Sequence, residues 1–184
     1  MNGLKVFAPK VFRDERGFFM ESYRKIDLEN AGIAYDFPQD NHSKSSKGVL
    51  RGLHFQWSPP QGKLIRVTAG SAFVVELDIR KNSPFFGRHI FIELSEENNK
   101  ILWVPPGFAN GFCALTDNCQ MQYKCTSYWS KEGEAAIRFD DPDTAVNWPF
   151  KNPIVSDKDR QALTLKEWAA KPESESFNSF YPSK

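Results

Sequence analysis

The sequence has few cysteines, and they do not form a disulfide framework or a metal-binding pattern. Only three occur among 184 residues, Cys113, Cys119 and Cys125, and their spacing matches no common metal-binding motif. Three cysteines are also too few for disulfide bonds to stabilise a chain of this length. We therefore expect buried thiols that act as small apolar side chains, and a reducing, cytoplasmic location.

An excess of charge of one sign is also missing. Lys and Arg total 24 and Asp and Glu total 23, which gives a formal net charge of +1. A dedicated nucleic-acid-binding protein usually has a strong basic excess, so we expect no nucleic-acid partner. No apolar run approaches the length of a membrane span, and the N-terminus lacks the apolar core of a signal peptide. We therefore expect no membrane partner.

Glycine-rich phosphate-binding loops are absent, since neither the P-loop pattern nor GxGxxG occurs. Hydrophobic residues make up 40% of the chain and charged residues 26%, close to the averages for globular proteins. Because there are no repeats and no linker, we predict one domain over residues 1–171. A polar and loose C-terminal tail is predicted at 172–184.

Turn-forming residues are frequent, and helix signals are scarce. Clusters of Gly, Pro, Asn and Asp recur about every eight to twelve residues, which is typical of β-sandwiches and β-barrels. Strands are predicted at 49–55, 63–68, 72–79, 89–94, 101–104 and 120–128, and short helices at 25–31 and 157–171. The pattern predicts an all-β fold with a few short helices.

Four side chains are chemically capable, although each also has an ordinary structural explanation. His54 lies inside an apolar strand pattern, where a single histidine is more often a hydrogen-bonded core residue than a catalyst. Lys63 opens a strand, where lysines are usually solvated, and Tyr123 fits packing on a strand face. Asp159 fits the first turn of a helix. On the residue pattern alone, both explanations remain open.

Seven short segments occur in a fixed order along most of the chain. They are FRDERGFFME (12–21), QDNHS (39–43), GVLRGLHFQ (48–56), QGKL (61–64), PPGFANGF (105–112), YKCT (123–126) and SDKD (156–159). One such segment is weak support, but seven collinear segments are specific. Together they resemble the dTDP-4-dehydrorhamnose 3,5-epimerase family over roughly residues 4–160.

The resemblance implies a cupin-like jelly-roll barrel that works as a homodimer with neither a metal nor a cofactor. The implied substrate is a nucleotide-linked 4-keto-6-deoxy sugar, in the first place the dTDP-linked one, epimerised at carbons 3 and 5 on the way to L-rhamnose. By position, His54 resembles the general base and Asp159 the carboxylate that orients it. Tyr123 resembles the acid on the opposite face of the sugar, and Lys63 resembles the cation near the 4-keto oxygen.

Further positions match substrate-binding positions of the family. They are Arg16, Phe19, Glu21, Gln39, Asp40, Asn41, Arg51, Glu134 and Lys158, with Phe19 as a stacking partner for the nucleotide base. Forked guanidinium donors suit a diphosphate, which is where Arg16 and Arg51 are expected. Strict alternation places Arg51 and His54 on opposite strand faces, so both can serve one site only if the strand bulges. We expect that bulge at Gly52.

These residue types fit the implied chemistry. A proton next to a ketone is weakly acidic, because the resulting anion spreads onto the ketone oxygen as an enolate. Histidine titrates near neutral pH and suits the base, and a carboxylate stabilises its imidazolium form. A lysine can stabilise the enolate oxygen, and a tyrosine stays protonated until it donates from the other face. The ketone itself accepts the electrons, so no cofactor is expected.

The sequence departs from the family at two positions that usually form a second histidine–carboxylate pair. Asn110 stands where family members usually have His, and Val74 stands where they usually have Asp. Loss of both partners avoids leaving one of them buried alone. We therefore expect an active epimerase in which Asn110 binds a sugar hydroxyl and the sugar or the second epimerisation differs. The alternative is a 3-epimerase, or a 5-epimerase, acting on a different nucleotide-linked 4-keto sugar.

Two other functional classes are disfavoured. A metal-dependent cupin needs two or three histidines and a carboxylate around one ion, whereas the first motif supplies only His54 and the second has Asn110. A metal analysis of the purified protein tests this class. A non-catalytic sugar-nucleotide-binding module is possible on the same fold, but it predicts loss of the base, the acid or the cation, and none is lost.

Overall fold

Alternating apolar side chains in the middle of the chain build two antiparallel β-sheets. The computed structural model describes Met1 and residues 3–180. Its strands are β1 (Lys5–Phe7), β2 (Val11–Asp14), β3 (Gly17–Met20), β4 (Gln39–Ser45), β5 (Leu50–Gln56), β6 (Lys63–Ala69), β7 (Ser71–Asp78), β8 (His89–Ser95), β9 (Ile101–Val104), β10 (Phe108–Ala114), β11 (Cys119–Cys125) and β12 (Glu134–Ala136). The first sheet has the order β1-β9-β6-β11-β4, the second has the order β12-β5-β10-β7-β8, and β2 and β3 form a separate hairpin.

The main core lies between the two sheets. Ile65 and Met121 project into it from the first sheet, and Val74 and Phe112 project from the second. Removing these side chains from water stabilises the fold by about 25 cal/mol for each Å² of apolar surface buried. Towards one end of the sandwich the same inner faces carry polar side chains instead, and this end holds the pocket described below.

The outer face of each sheet is covered by a helical segment. Helix α1 (Lys25–Asn30) packs Leu28 against Trp103 of the first sheet. The second sheet is covered by α3 (Leu165–Ala169) and a 3-10 helix (Pro172–Phe180), whereas α2 (Asp157–Arg160) lies beside β5 at the pocket. Trp168 and Phe177 pack there against Phe55. None of the helices in the described part of the chain is long and apolar enough to span a membrane.

The six strands predicted from alternation are confirmed as β5, β6, β7, β8, β9 and β11, with ends displaced by no more than three residues. Strand β4 was not predicted, because its sequence QDNHSKS is polar on both faces. Strand β10 was not predicted either, because glycine and asparagine in FANGFCA resemble a turn. The hairpin strands β2 and β3 and the short strand β12 were likewise not predicted.

The C-terminal region differs from the prediction in two ways. The helix predicted at 157–171 is wrong as a single element, because Leu163 forms a β-bridge with Ile137 and Thr164 then begins α3 with a capping box. The tail is not loose over 172–180, since Phe177 is fully buried in the outer core. Residues 181–184 lie outside the described residues, and the predicted domain boundary at residue 171 stays a prediction.

Candidate active site

A bulge in β5 turns Arg51 and His54 towards the same side of the second sheet. His54 pairs with Asn110 of β10 and Arg51 pairs with Phe112, so three steps along β5 match two steps along β10. Gly52 lies in the bulge with φ = +109°. A Cβ atom there would lie 2.6 Å from the carbonyl oxygen of Asn110, so only glycine fits. The predicted bulge is confirmed, and both side chains line one pocket.

A buried carboxylate from α2 holds the imidazole of His54. Nε2 of His54 lies 2.6 Å from Oδ1 of Asp159, whose side chain is 4% exposed. Oδ2 of Asp159 accepts a hydrogen bond from the backbone N–H of Gly52 at 3.3 Å. The hydroxyl of Ser156 caps α2 by accepting from the backbone N–H of Asp159 at 3.1 Å, which fixes the start of the helix. The contact leaves Nδ1 as the ring nitrogen available to a substrate.

The environment of Asp159 favours its ionised form. Burial alone would raise the pKa of this carboxyl, but the hydrogen bond and charge interaction with His54 outweigh burial. The hydrogen bonds from Gly52 and Ser156 act in the same direction, so the pKa of Asp159 lies below its ordinary value. A negative charge beside Nε2 stabilises a positive imidazolium, as a general base requires after it takes a proton.

Lys63 and Tyr123 line the same pocket from the first sheet. They lie on the neighbouring strands β6 and β11, and the ammonium of Lys63 is 5.8 Å from the ring centroid of Tyr123. Burial lowers the pKa of Lys63, while nearby Cys125 and Glu76 act in the opposite direction. Burial, with a further contribution from Cys125, raises the pKa of Tyr123, so its phenol stays protonated. The pocket therefore has an imidazole on one sheet and a protonated phenol on the other.

The pocket has a volume of about 460 Å³ and is lined largely by polar side chains. Those predicted to bind substrate and found here are Gln39, Asn41, Arg51, Glu134 and Lys158. Glu134 accepts hydrogen bonds from the indole N–H of Trp129 at 2.5 Å and from the ammonium of Lys158. Trp129, which sequence reasoning missed, is 56% exposed at the pocket rim and offers a flat apolar surface to a ligand.

Three predicted binding residues lie outside this pocket, on the hairpin formed by β2 and β3. Arg16 is in the turn, where its side chain is 83% exposed and paired with Asp14. Phe19 is 65% exposed, and Glu21 follows β3 and lies beside Arg24. The hairpin pairs with no other strand of the described chain. Within one chain, the structure therefore does not bring Arg16, Phe19 and Glu21 to His54.

Asp40 also lies outside the pocket, although its neighbours Gln39 and Asn41 line it. Successive side chains of a strand point to opposite faces, so Asp40 occupies the outer face of β4. It forms an ion pair with Lys124 of β11 at 2.9 Å. Asp40 therefore lies on the outer face of the first sheet and does not contact the pocket.

Asn110 has an unexpected partner, Glu76 of β7. Nδ2 of Asn110 donates a hydrogen bond to Oε1 of Glu76 at 2.6 Å, and Glu76 is fully buried. The expectation that no carboxylate accompanies Asn110 is therefore wrong. Val74 packs in the core between the sheets, and the carboxyl comes from two residues further along the same strand. Only the pairing of β7 with β10 could have indicated Glu76.

The assembled groups can move protons on a bound ligand. One sheet offers an imidazole backed by a carboxylate, and the other offers a protonated phenol beside an ammonium. Such a set suits abstraction of a proton next to a carbonyl and return of a proton from a second direction. Among residues 1 and 3–180, no cluster of three or more His, Cys, Asp or Glu side chains converges as a metal site.

Comparison with known proteins gives one consistent result. The model of the dTDP-4-dehydrorhamnose 3,5-epimerase family matches residues 1–167. The chain is 52% identical over 156 residues to the dTDP-4-dehydrorhamnose 3,5-epimerase of Shigella flexneri, covering 84% of this chain and 86% of that protein.

Solved structures of sugar epimerases have the same fold, in agreement with the jelly-roll prediction. The epimerase RmlC of Legionella pneumophila, solved in complex with dTDP-4-keto-L-rhamnose, superposes with a TM-score of 0.90 at 44% identity and covers 95% of this chain and 93% of that one. ChmJ, a 3'-monoepimerase from Streptomyces bikiniensis solved with dTDP-quinovose, has a TM-score of 0.85 at 32% identity, with 90% and 85% coverage. The predicted all-β, cupin-like jelly-roll fold class is confirmed.

Proposed function

We propose the following residue roles on the premise that this chain belongs to the dTDP-4-dehydrorhamnose 3,5-epimerase family, as the match over residues 1–167 shows. The protein is an isomerase that acts on a dTDP-linked sugar and epimerises dTDP-4-dehydro-6-deoxy-D-glucose at carbons 3 and 5. The observation that carries the roles is the contact of 2.6 Å between His54 and Asp159 inside the pocket.

His54 is the base in this proposal. Its Nδ1 removes the proton from a carbon next to the 4-keto group, and the electron pair moves onto the ketone oxygen to give an enolate. Asp159 keeps the second ring nitrogen protonated and stabilises the imidazolium that forms. Because Asp159 is buried and accepts from the backbone at Gly52 as well, the imidazole keeps its orientation when the pocket is empty.

Lys63 is proposed to bind the 4-keto oxygen. A cation placed where negative charge develops lowers the barrier, and loss of one such donor typically costs about 3 kcal/mol in the transition state. Lys63 is half-buried and lines the pocket. In the described chain it has no ion pair within 4.0 Å, so its ammonium is available to a ligand.

Tyr123 is proposed to return the proton on the opposite face of the sugar. It lines the pocket from the sheet that faces the His54 strand. Its raised pKa keeps the phenol protonated until the enolate needs a proton. Removal by His54 and return by Tyr123 on opposite faces inverts the carbon, and the same pair can act at carbon 3 and at carbon 5.

The nucleotide end of the substrate is proposed to bind Arg51 and Lys158, whose positive charges suit a diphosphate. Gln39, Asn41 and Glu134 are proposed to contact the remaining polar groups of the ligand, because they line the same pocket.

We also propose that the protein is a homodimer in which the β2–β3 hairpin reaches the pocket of a second copy. Among residues 1 and 3–180 the two strands of the hairpin pair only with each other, and the hairpin exposes Phe12, Phe18 and Phe19. This placement would bring Arg16, Phe19 and Glu21 to the substrate. A monomer in sedimentation equilibrium at the assay concentration would contradict it.

Three free buried thiols support a cytoplasmic location, which cell fractionation tests.

Proton exchange in heavy water tests the proposed roles. The protein is incubated with dTDP-4-dehydro-6-deoxy-D-glucose, and deuterium at carbons 3 and 5 is followed by NMR. We expect exchange at both carbons, reduced about 10³-fold in His54→Ala. The matched control is His42→Ala, because His42 is an exposed histidine on a strand that lines the pocket. Exchange at carbon 3 alone would indicate the 3-epimerase alternative, and an unchanged His54→Ala rate would overturn the assignment of the base.

A further inference from the structure

A row of three polar side chains crosses the inner face of the second sheet. His54 of β5 pairs with Asn110 of β10, and Asn110 pairs in turn with Glu76 of β7. Residues directly opposite each other in antiparallel strands point to the same face of the sheet and have Cβ atoms about 4.5–5.5 Å apart. Asn110 is therefore the immediate neighbour of the base, and Glu76 lies directly behind Asn110.

The contact within this row is specific. Nδ2 of Asn110 donates to Oε1 of Glu76 at 2.6 Å. Asn110 is partly exposed, whereas Glu76 is completely buried and its Oε2 atom has no hydrogen-bond partner in the described chain. A buried polar atom without a partner destabilises the fold. On its own strand Glu76 has Val74, Val75 and Leu77 as apolar core neighbours, while the other buried carboxylate, Asp78, is paired with Arg80.

The surroundings of Glu76 favour a neutral carboxyl group. Burial raises the pKa of this carboxyl well above its ordinary value, and the hydrogen bond from Asn110 and the charge of Lys63 only partly offset burial. Lys63 is nevertheless not within ion-pair distance of Glu76. A neutral acid presents a carbonyl-type oxygen that accepts from Asn110, and a glutamine side chain can reproduce that acceptor with the same shape.

We propose that Glu76 is a positioning residue for the sugar end of the pocket, where it fixes the carboxamide of Asn110 beside His54. Asn110 is not among the side chains that line the pocket, but it is the strand neighbour of His54, and the contact with Glu76 engages its N–H group and leaves its amide oxygen unused by Glu76. This oxygen accepts a hydrogen bond from a sugar hydroxyl and fixes the angle at which the reacting carbon meets the base. This inference rests on the proposed function, because it needs a sugar in the pocket.

Four variants separate the hydrogen bond from packing. Glu76→Gln keeps the acceptor for Asn110, and Glu76→Leu removes it at similar volume. Asn110→Ala removes the side chain that Glu76 holds. Val74→Ala is the matched control, because Val74 is a fully buried neighbour on the same strand that makes only apolar contacts. Glu76→Ala replaces Glu76→Leu if the leucine variant does not fold.

The expected results differ between a positioning role and a purely structural role. Glu76→Leu lowers kcat by about tenfold, the effect expected from loss of one hydrogen bond that positions the substrate. Glu76→Gln stays within about threefold of the wild type. In the Asn110→Ala background, Glu76→Leu adds little, because the two residues act through one contact. Binding of dTDP alone is unchanged in every variant, since the row lies at the sugar end. Val74→Ala lowers the melting temperature and leaves kcat within about twofold.

Three outcomes would overturn the inference. Wild-type kcat in a folded Glu76→Leu protein would remove the role of Glu76 altogether. Equal losses in Glu76→Gln and Glu76→Leu would show that Glu76 acts through its charge or proton and not by holding Asn110. Additive losses in the double variant would show that the two residues act independently. A wild-type protein without proton exchange would instead contradict the proposed function, so the two failures are distinguishable.

Discussion

Two buried carboxyl groups stand behind two polar side chains on the inner side of the second sheet. Asp159 holds His54 at 2.6 Å, and Glu76 holds Asn110 at the same distance. Asp159 receives hydrogen bonds from the imidazole and from the backbone of Gly52, whereas Glu76 receives one hydrogen bond, from a neutral amide. The pKa of Asp159 is lowered and that of Glu76 is raised, although both groups are buried.

The comparison shows that the balance between burial and the hydrogen-bond and charge partners of a carboxyl decides which form is favoured, since burial prevails at Glu76 and the partners prevail at Asp159. An ionised Asp159 can stabilise a positive imidazolium, so its pair with His54 can take up a proton. A neutral Glu76 can only fix the direction of an amide, so its pair with Asn110 can bind and orient but not act as a base. In the roles we propose, the first pair transfers a proton and the second pair places the sugar.

The largest expected effect comes from Asp159→Asn. The new amide would donate to Nε2 of His54, which forces the proton onto Nδ1 and removes the lone pair that the base needs. We expect kcat to fall by about 10³–10⁴-fold, as in triads that lose the orienting carboxylate. The matched variant is Glu76→Gln, the same acid-to-amide change at the neutral pair, which should stay within about threefold.

Steady-state kinetics and circular dichroism of both folded variants measure this contrast. Comparable losses in Asp159→Asn and Glu76→Gln would break the distinction between a charged pair and a neutral pair. An increase in KM with an unchanged kcat for Asp159→Asn would assign Asp159 to substrate binding.

The stability of the protein should depend on pH in opposite ways at the two carboxyls. The lowered pKa of Asp159 contributes stability that is present above its ordinary value of 3.8 and is lost as pH falls through the folded pKa. The raised pKa of Glu76 contributes stability that is fully present below its ordinary value of 4.5 and is lost as pH rises through the folded pKa. Asp159→Asn and Glu76→Gln should each remove one of these dependences.

Urea unfolding at a fixed protein concentration, repeated between about pH 2 and pH 8, measures both dependences. Relative to the wild type, the unfolding free energy of Glu76→Gln should improve as pH rises. Asp159→Asn should have a lower unfolding free energy than the wild type at neutral pH, and this difference should shrink as pH falls below 3.8. Two parallel curves for Glu76→Gln and wild type would show that Glu76 has the same pKa in the folded and unfolded chains.

Features that depend on a short stretch of sequence could be predicted. The strand around His54, the bulge at Gly52 and the place of Asp159 in SDKD are short-range features, and each lies where the motif predicts. Six strands and an all-β fold followed from strand segments and turn spacing, and the jelly-roll barrel was implied by the family resemblance. Long-range relations could not be predicted in the same way, because they depend on register.

Glu76 shows this limit most clearly. It is 34 residues from Asn110 and two residues from the expected position of a carboxylate, so only the pairing of β7 with β10 makes it a partner. The position of Trp129 at the pocket depends on the path of a loop, and the burial of Phe177 depends on how the C-terminal segment packs on the second sheet. Asp40 was assigned to the pocket from its motif, and simple alternation along β4 would have excluded it once Gln39 and Asn41 were placed there.

The smallest effect is expected at Asp40, which extends the comparison to a carboxylate that is paired but exposed. Its side chain is 57% exposed beside Lys124 on the outer face of the first sheet. Solvent screens such a pair, so Asp40→Asn should change the unfolding free energy by less than about 1 kcal/mol and kcat/KM by less than about twofold. Denaturant unfolding and steady-state kinetics measure both. A tenfold loss of kcat/KM would mean that this face contacts substrate or the hairpin of a second copy in the assembled protein. The exposure of a carboxylate in one chain would then not predict its role.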